Sequence, residues 1–492
     1  MPTHTDARPH RFAAVQRIVG LLLMIFSLTM LPPIAVSMIY GEPTHLSFLL
    51  GALVTLLAGA LAFIPVRRLE ADLKLRDGFL VVVLFWAVLG LFGAIPLFMA
   101  FYPRLSVAQA VFESMSGLTT TGATVLVGLD TLPKSVLYYR QQLQWLGGMG
   151  IIVLAVAILP MLGVGGMQLY RAETPGPVKD TKLTPRITET ARALWFIYMG
   201  LTVSCAFAYW LAGMQPFDAI AHSFSTVAIG GFSTHDLSLG FYNSPLIESI
   251  AVVFMLLAAT NFSLHFLAWR SQSARPYLDD PEWRTFLLML TALTIVCTVV
   301  LYGAGAHPNF GDAFIKAAFQ AVSIGTTTGF TTADYSIWPS FLPILLLLAS
   351  FIGGCAYSTA GGMKVVRAML LFKQGIREVY RMIHPNAEIP VKLGHKRIPD
   401  EVIQAVWGFF SVYMGFYVIM LMLLLMTGLD PISAFAAVAA CINNLGPGIG
   451  EVASNFATVN AFGLWVCTFA MMLGRLELFP LLVIMTPFFW RR

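Results

Sequence analysis

Charged side chains are scarce in this sequence of 492 residues. Only 11% of the residues are charged, whereas 58% are hydrophobic and the mean hydropathy is +0.77. Soluble domains carry about 25% charged residues, so a water-soluble globule is excluded. Stretches such as 81–99 and 409–426 are apolar and long enough to cross about 30 Å of hydrocarbon. The sequence therefore predicts an all-α polytopic membrane protein with about ten full spans.

Motifs for catalysis and for organic cofactors are also missing from the sequence. The five cysteines lie in apolar segments without CxxC spacing, which predicts buried, unreactive thiols. No GxGxxG follows a strand, and there is no P-loop. No nucleophile–base pair is evident, and no basic domain is interleaved with aromatics as nucleic-acid binding would require. We therefore expect neither an enzyme nor a nucleic-acid-binding protein, and no organic cofactor in this chain.

The basic residues are concentrated in a few stretches. Of the 30 Lys and Arg residues, 25 lie in 1–20, 66–76, 170–192, 270–284, 364–397 and 491–492. These stretches fall on one side of a membrane if each intervening block crosses it and returns. By the positive-inside rule, that side is the cytoplasm, and both termini are cytoplasmic.

One short pattern occurs four times at wide spacing. The copies are AVFESMSGLTTTGAT (110–124), AIAHSFSTVAIGGFS (219–233), AAFQAVSIGTTTGFT (317–331) and AFAAVAACINNLGPG (434–448). Aligned without gaps, they share one glycine column, Gly122, Gly231, Gly329 and Gly446, and a second column of Ser116, Ser225, Ser323 and Ala440. Packing between helices accounts for one such patch, but four patches in one register favour an internal repeat.

Each copy is an apolar half-helix, too short to span, followed by a polar run that favours irregular backbone. Such backbone is tolerated at membrane depth only where it is buried or lines a watery path. We therefore predict four helix–re-entrant pore loop–helix repeats around a central pore, plus two extra N-terminal transmembrane helices. The predicted units are 1–70 for the N-terminal pair, then 71–168, 169–272, 273–382 and 383–492 for pore repeats 1 to 4.

The run around each glycine is predicted to bind a cation through backbone carbonyls, as in a potassium filter. Glycine permits the backbone angles that such a ring requires. None of the four runs contains Asp or Glu, which calcium or magnesium would favour. We name these runs the strips, and their predicted potassium-binding residues are Thr120, Thr121, Gly122, Ile229, Gly230, Gly231, Thr327, Thr328, Gly329, Asn444, Leu445 and Gly446.

Polar residues near the strips have two competing interpretations each. Acids follow every strip, namely Asp130, Asp236, Asp334 and Glu451, and they form either a cation-attracting vestibule or ordinary loop caps.

Within the half-helices, Glu113, His222 and Gln320 share a column. Intramembrane ionisable groups are functional candidates, but we favour hydrogen bonds that support the strips. Lys316 is expected to extend toward the outer membrane surface.

Two features are predicted to control the pore. The first is the glycine loop, which we define as 353–362 and which contains Gly353, Gly354, Gly361 and Gly362. Clustered glycines predict a break in the helix and a movable plug beneath the strips, and a close-packed helix crossing is the alternative. The second is Arg475, which forms either an electrostatic barrier or a structural pair with Glu477 or another acid.

At these residues the chain resembles the TrkH/TrkG family, the membrane subunits of bacterial Trk potassium uptake systems in the Trk/Ktr/HKT superfamily. The four strips, RQQLQWLGGMGI (140–151), YRAETPGPVKDTKLTPRI (170–187), FIGGCAYSTAGGMK and GRLEL carry the resemblance, which covers essentially the whole chain. Tyr357 and Ala360 depart from it, since the family more often has glycine at these positions.

The resemblance implies potassium uptake across the bacterial inner membrane, with the ion as the transported substrate. It implies a homodimer in the lipid bilayer with one pore per protomer, and a gate formed by the glycine loop and Arg475. It also implies a cytosolic NAD(H)- and ATP-binding regulatory subunit, TrkA, for which 170–192 and 364–397 form the expected docking surface. A proton- or sodium-coupled potassium symporter is the alternative function. Coupling requires a titratable site at the midplane, which the strips lack, so we favour the channel.

Overall fold

The computed structural model describes residues 12–69, 75–153, 187–306 and 308–491. These residues are almost entirely helical. The helices are α1 Ala13–Leu28, α2 Leu31–Ile39, α3 His45–Phe63, α4 Leu75–Met99, α5 Val107–Leu118, α6 Lys134–Val153, α7 Ile187–Leu211, α8 Pro216–Val227, α9 Pro245–Ala258, α10 Phe262–Ser271, α11 Arg275–Asp279, α12 Pro281–Gly303, α13 Phe310–Gly325, α14 Leu342–Ile352, α15 Val365–Ile383, α16 Asp400–Leu425, α17 Pro431–Ile442, α18 Ala461–Arg475, α19 Phe479–Met485 and α20 Pro487–Trp490. One antiparallel pair of two-residue strands, β1 Lys392–Leu393 and β2 Lys396–Arg397, precedes α16.

The apolar helices fall into a continuous set and a bent set. By length and composition, six in the described residues can cross a membrane: Ala13–Ile39, His45–Val66, Asp77–Met99, Arg192–Leu211, Pro281–Gly303 and Asp400–Leu425. The pairs α9–α10 and α18–α19 bend by 92° and 115°, and they raise the number to eight if each is one span. By the same measure α14 is too short, with 11 residues, and α6 is too rich in polar side chains to be counted, and the predicted ten spans stay a prediction.

The exterior of the bundle is apolar. Large hydrophobic side chains such as Ile25, Leu288 and Val299 are more than half exposed. A soluble protein seldom exposes apolar patches on this scale, whereas hydrocarbon is their natural solvent. The described part of the chain is thus a polytopic helical membrane protein.

Four short helices, α5, α8, α13 and α17, lie inside this bundle, and we refer to them as the short helices. They are 12 to 16 residues long. Their starts carry ordinary signals: Ser106 forms a capping box with Gln109, and Asp430 caps two N–H groups of α17. Each is followed by an extended segment that contains one strip, so the predicted sequence of half-helix and irregular backbone is present at all four places.

Candidate functional site

The four short helices end in the same backbone motif. In α5 the N–H of Thr121 donates to the carbonyl of Ser116 (2.8 Å), and the N–H of Thr120 donates to Gly117 (3.0 Å). The equivalent six-residue bonds are Gly230 to Ser225 (2.8 Å), Thr328 to Ser323 (2.7 Å) and Leu445 to Ala440 (2.8 Å). This is the Schellman C-cap, in which a left-handed residue turns the chain out of the helix. It explains the second repeat column: the cap uses the backbone carbonyl of that residue, so alanine suffices for it in the fourth copy, while in the third copy the Ser323 hydroxyl also donates to the carbonyl of Phe330 (2.7 Å).

Each strip has two left-handed backbone positions separated by one residue. The first positions are Thr120 (φ 53°), Ile229 (φ 54°), Thr327 (φ 66°) and Asn444 (φ 54°). The second positions are Gly122 (φ 82°), Gly231 (φ 76°), Gly329 (φ 84°) and Gly446 (φ 97°). Glycine adopts such angles freely, but at the first positions a side chain costs about 1–3 kcal/mol. The surrounding contacts must therefore hold the strips in this conformation.

The glycine column brings the four strips together in a closed order. A Cβ built on Gly122 would lie within 3.0 Å of the carbonyl oxygen of Gly230. The same overlap joins Gly231 to Thr328, Gly329 to Leu445, and Gly446 to Thr121. Copy 1 therefore contacts copy 2, and so on back from copy 4 to copy 1. Any side chain at this column would push neighbouring strips apart, which gives the repeated glycine a physical reason beyond its backbone angle.

A cavity of about 420 Å³ opens against this ring and is lined by all four column glycines. Asp236 and Asp334 also line it, whereas Asp130 and Glu451 do not. The carboxylate of Asp334 caps the backbone of Ser336 (2.9 Å), and Asp236 accepts from the N–H of Gly128 (3.0 Å). Two of the four acids therefore line the cavity, both also accept hydrogen bonds from backbone N–H groups of loops, and the cation-attracting vestibule stays a prediction.

The polar column of the short helices supports the segments that follow the strips. Glu113 accepts hydrogen bonds from the Thr124 hydroxyl (2.9 Å) and the Val125 N–H (2.9 Å). His222 bonds the hydroxyl of Ser233 (2.9 Å), and Gln320 donates to the carbonyl of Ala333 (3.3 Å). These contacts agree with the sequence-based interpretation of the column as a brace.

A second set of supports comes from α6 and was not predicted. Arg140 is buried and pairs with Glu113 (Nε to Oε1, 2.6 Å) while donating to the carbonyl of Ser233 (3.2 Å). Gln144 donates to the carbonyl of Gly230 (2.5 Å) and accepts from the N–H of Phe232 (3.1 Å). The signal in the sequence was RQQLQ, a run of amide and guanidinium groups inside an otherwise apolar stretch. Its partners in the second repeat, Gly230 and Ser233, lie 86 and 93 residues away and could not be assigned from spacing.

Lys316 also differs from expectation. Its ammonium pairs with the buried Glu248 at 2.5 Å, so this side chain bridges α13 and α9 instead of extending toward the membrane surface. Pairing removes the cost that a lone charge would have at this position.

The glycine loop is irregular backbone, as predicted, between α14 and α15. It lies directly against the strips: the N–H of Gly361 donates to the hydroxyl of Thr327 (2.7 Å), and the N–H of Gly362 to the carbonyl of Asn443 (3.0 Å). Thr359 donates to the carbonyl of Val227 at the end of α8 (3.0 Å). A Cβ on Gly361 would overlap the Asn443 carbonyl oxygen. The loop therefore contacts the ends of three short helices or their strips.

Arg475 meets this loop. It is 5% exposed, and its Nη1 donates to the carbonyl of Thr359 (3.1 Å). Its Nε and Nη2 atoms have no hydrogen-bond partner, and no carboxylate of the described residues lies within 4.0 Å of it. Glu477 pairs with Arg367 instead. The predicted alternative of an Arg475–Glu477 pair is therefore not formed.

Other predicted features carry no ligand chemistry or lie elsewhere. All five cysteines are buried and free, as expected. Across the described ranges, no group of three His, Cys, Asp or Glu residues is placed to hold a metal ion. The basic stretch 170–192 falls almost wholly outside the described residues.

The fold and the site define a class: a polytopic helical membrane protein whose bundle encloses a ring of four irregular backbone segments, each with two left-handed residues. Comparison with known proteins gives the family. A model described as TrkH, cation transport protein, matches residues 44–492. The chain is 57% identical to the Trk system potassium uptake protein TrkH of Vibrio parahaemolyticus, over 98% of this chain and all of that protein. It is 42% identical to TrkG of Escherichia coli K12, over 97% of this chain and 98% of that protein.

A solved structure agrees with these matches. The crystal structure of the potassium transporter TrkH from Vibrio parahaemolyticus has a TM-score of 0.91 to this chain, at 54% identity. The match covers 98% of this chain and all of the solved one. The chain belongs to the TrkH family of cation transport proteins. Its relatives are named as transport proteins and not as enzymes.

Proposed function

We propose that this chain takes up potassium across the bacterial inner membrane through a gated, channel-like pore. The observation that carries the proposal is the closed ring of four strips, each with two left-handed positions. Such backbone directs carbonyl oxygens where a dehydrated cation can use them in place of water. The twelve strip residues named above are the proposed potassium-binding residues, and the ion is the substrate.

The identity of the ion is supported by chemistry and by relatives. Carboxylates, the preferred ligands of calcium and magnesium, are absent from the strips. The relatives at 57% and 42% identity are named potassium uptake proteins of the Trk system. Coupling to protons or sodium is the alternative, and no specific contact in the described residues favours it.

The proposed gate is the glycine loop, with Gly353, Gly354, Gly361 and Gly362, together with Arg475. The loop lies against Thr327 and Asn443 at the base of the strips. A buried guanidinium with two unpartnered nitrogens repels a cation leaving the ring. Opening then requires that the loop and Arg475 move apart.

The proposed assembly is a homodimer whose protomers each have a pore, with both termini in the cytoplasm. Four pore repeats with the predicted boundaries follow the N-terminal pair. A cytosolic NAD(H)- and ATP-binding subunit, TrkA, is the proposed regulator, because the relatives are named as parts of a Trk system. The basic stretch 364–397 is its proposed docking surface within the described residues.

Uptake of rubidium-86 into liposomes that contain only this chain tests the proposal. We expect uptake that potassium competes strongly and sodium weakly, at a rate unaffected by proton or sodium gradients. Empty liposomes treated identically are the control. Uptake that requires a proton or sodium gradient would overturn the channel and favour the symporter.

A further inference from the structure

The glycine loop is closed on itself by backbone hydrogen bonds at its base. The N–H of Met363 donates to the carbonyl of Phe351 (2.9 Å), and the N–H of Val365 donates to Gly354 (3.0 Å). Lys364 lies between these two bonds with φ 77°, a left-handed angle that is unusual for a side-chain-bearing residue. The base of the loop is therefore closed by two backbone hydrogen bonds that flank a residue in an unusual backbone conformation.

The Lys364 side chain returns toward the distal part of the loop. It is only 7% exposed, and its ammonium donates to the carbonyl of Ala360. Ala360 directly precedes Gly361, whose N–H bonds the hydroxyl of Thr327 in the third strip. A positive charge is thus attached to the part of the loop that contacts the strips.

Glu282 of α12 accepts hydrogen bonds from one residue within the glycine loop and from one residue just after it. One carboxylate oxygen accepts from the N–H of Ala356 (2.7 Å) and from the N–H of Val366 (3.2 Å). These two donors are ten residues apart in sequence, one on each side of the Lys364–Ala360 contact. The carboxylate is buried, so both bonds form where water does not compete.

The charges around Lys364 leave one cation in excess. Glu282, Arg367, Arg475 and Glu477 are the groups that act on it electrostatically. With Lys364 these make three cations and two carboxylates, and Glu477 is already bonded to Arg367. The Lys364 ammonium is therefore held by the Ala360 carbonyl and by two carboxylates, of which Glu477 acts on it more strongly than Glu282, and movement of the loop would separate it from that carbonyl.

We propose that Lys364 is a positioning residue that ties the glycine loop in its closed state through the Ala360 carbonyl, with Glu282 as the anchor of the loop ends. The proposal rests on the proposed function, since it assigns the glycine loop as the gate. Opening then breaks the Lys364–Ala360 bond, and the ammonium adds to the barrier of Arg475 while the bond persists.

The test measures two properties of the full chain reconstituted alone: rubidium-86 flux, and the rate at which a maleimide labels Cys355. Cys355 is a buried free thiol within the loop, and mass spectrometry of its peptide separates it from the other cysteines. Lys364→Gln should raise both rates about tenfold. The reason is that a hydrogen bond from a charged group favours the closed loop over the open loop by about this factor. Lys364→Arg keeps the charge and should stay close to wild type.

Lys373→Gln is the matched control, because the Lys373 ammonium also donates to a backbone carbonyl, that of Lys392 (2.6 Å), but outside the loop. It should leave both rates unchanged. Lys373 belongs to the proposed docking surface for TrkA, but the chain is tested alone, so no partner is present to be affected. If Lys364→Gln does not fold, Lys364→Met fills the same space without a buried polar group, and Glu282→Gln loosens the anchor. The proposal would be overturned if Cys355 is labelled at the wild-type rate in those of Lys364→Gln, Lys364→Met and Glu282→Gln that fold.

The two readouts separate this inference from the proposed function. Labelling of Cys355 requires no ion, so it reports on the loop even if the wild-type chain conducts no rubidium. If the wild type shows no flux but Cys355 is labelled faster in Lys364→Gln, the channel is refuted and the role of Lys364 in holding the loop closed is retained. If the wild type conducts rubidium, and if Lys364→Gln has the same flux and the same Cys355 labelling rate as the wild type, the channel is retained and the role of Lys364 is refuted.

Discussion

Two buried arginines, Arg140 behind the strips and Arg475 against the glycine loop, have opposite surroundings. They are 1% and 5% exposed, respectively. All three nitrogens of Arg140 donate: Nε to Glu113, Nη1 to Ser233 and Nη2 to Thr124. Only Nη1 of Arg475 donates, and its other two nitrogens have no partner.

The difference separates a structural charge from a charge available to act on an ion. Arg140 is paired with the carboxylate of Glu113 and fixes segments of two repeats. The charge of Arg475 is not cancelled by any carboxylate within 4.0 Å in the described residues. Buried unsatisfied groups are rare in native proteins and call for an explanation. A barrier to cations is the explanation we favour.

The largest effect is expected at the paired arginine. Arg140→Ala leaves the Glu113 carboxylate buried and uncompensated, so stability should fall by about 3–5 kcal/mol. The thermal unfolding midpoint in detergent would show the loss. The double variant Arg140→Met with Glu113→Leu removes both charges and should be more stable than Arg140→Ala alone. If the single variant were equally stable to wild type, the pair would not be the support described here.

The glycine column should be next in sensitivity. Gly122→Ser introduces a Cβ against the Gly230 carbonyl at a left-handed position, with about 1–3 kcal/mol of backbone strain alone. We expect the strips to separate and the potassium-to-sodium permeability ratio to fall. Gly200→Ser is the matched control, since nothing lies within 4 Å of its Cβ position. A wild-type permeability ratio in Gly122→Ser would contradict the role of the ring.

The unpaired arginine should affect flux far more than stability. Arg475→Ala removes one hydrogen bond and breaks no ion pair, so stability should change by about 1 kcal/mol or less. Rubidium flux through the isolated chain should rise because the positive barrier is gone, and Arg475→Lys should retain most of the barrier. A variant that unfolds like Arg140→Ala, with no gain in flux, would show that the two arginines have the same role.

The smallest effect is expected at the outer loop residue His235, which contacts Asp130 and lies 3.5 Å from Asp218. Burial opposes its protonated form, but the carboxylates of Asp218 and Asp130 outweigh burial and raise its pKa. Its stabilising contribution is therefore complete in acid, below the unfolded pKa of about 6.5, and is lost as pH rises through the raised value. For a half-exposed pair this amounts to about 1 kcal/mol or less.

Thermal midpoints measured on both sides of neutrality test this direction. The wild type should lose stability as pH rises above about 6.5, and His235→Gln should flatten that change. His384→Gln, at an exposed histidine, is the control and should keep the wild-type profile. If the dependence of the thermal midpoint on pH is the same in His235→Gln as in the wild type, His235 is not the group whose titration changes the stability.

Prediction from the sequence succeeded where the cause is local. The short helices, their irregular continuations and the break at the glycine loop follow from apolar half-helices that end in polar, glycine-containing runs. The Schellman caps involve only residues within five positions, so a repeated local pattern is sufficient to specify them. The sharp bends after α9 and α18 were not predicted, because such bends depend on neighbours in space.

The sequence by itself therefore determined the membrane class, the four strips and the family to which the chain belongs. Tertiary structure decided which strips touch, that Arg140 pairs with Glu113 while Arg475 pairs with no carboxylate among the described residues, and that Glu282 reaches the N–H groups of Ala356 and Val366. The reason is the range of the interaction. Backbone angles and caps are fixed by residues a few positions apart, whereas the buried Arg140 bonds Glu113 and Ser233, which lie 27 and 93 residues away, and only the packed bundle brings such groups within hydrogen-bond distance.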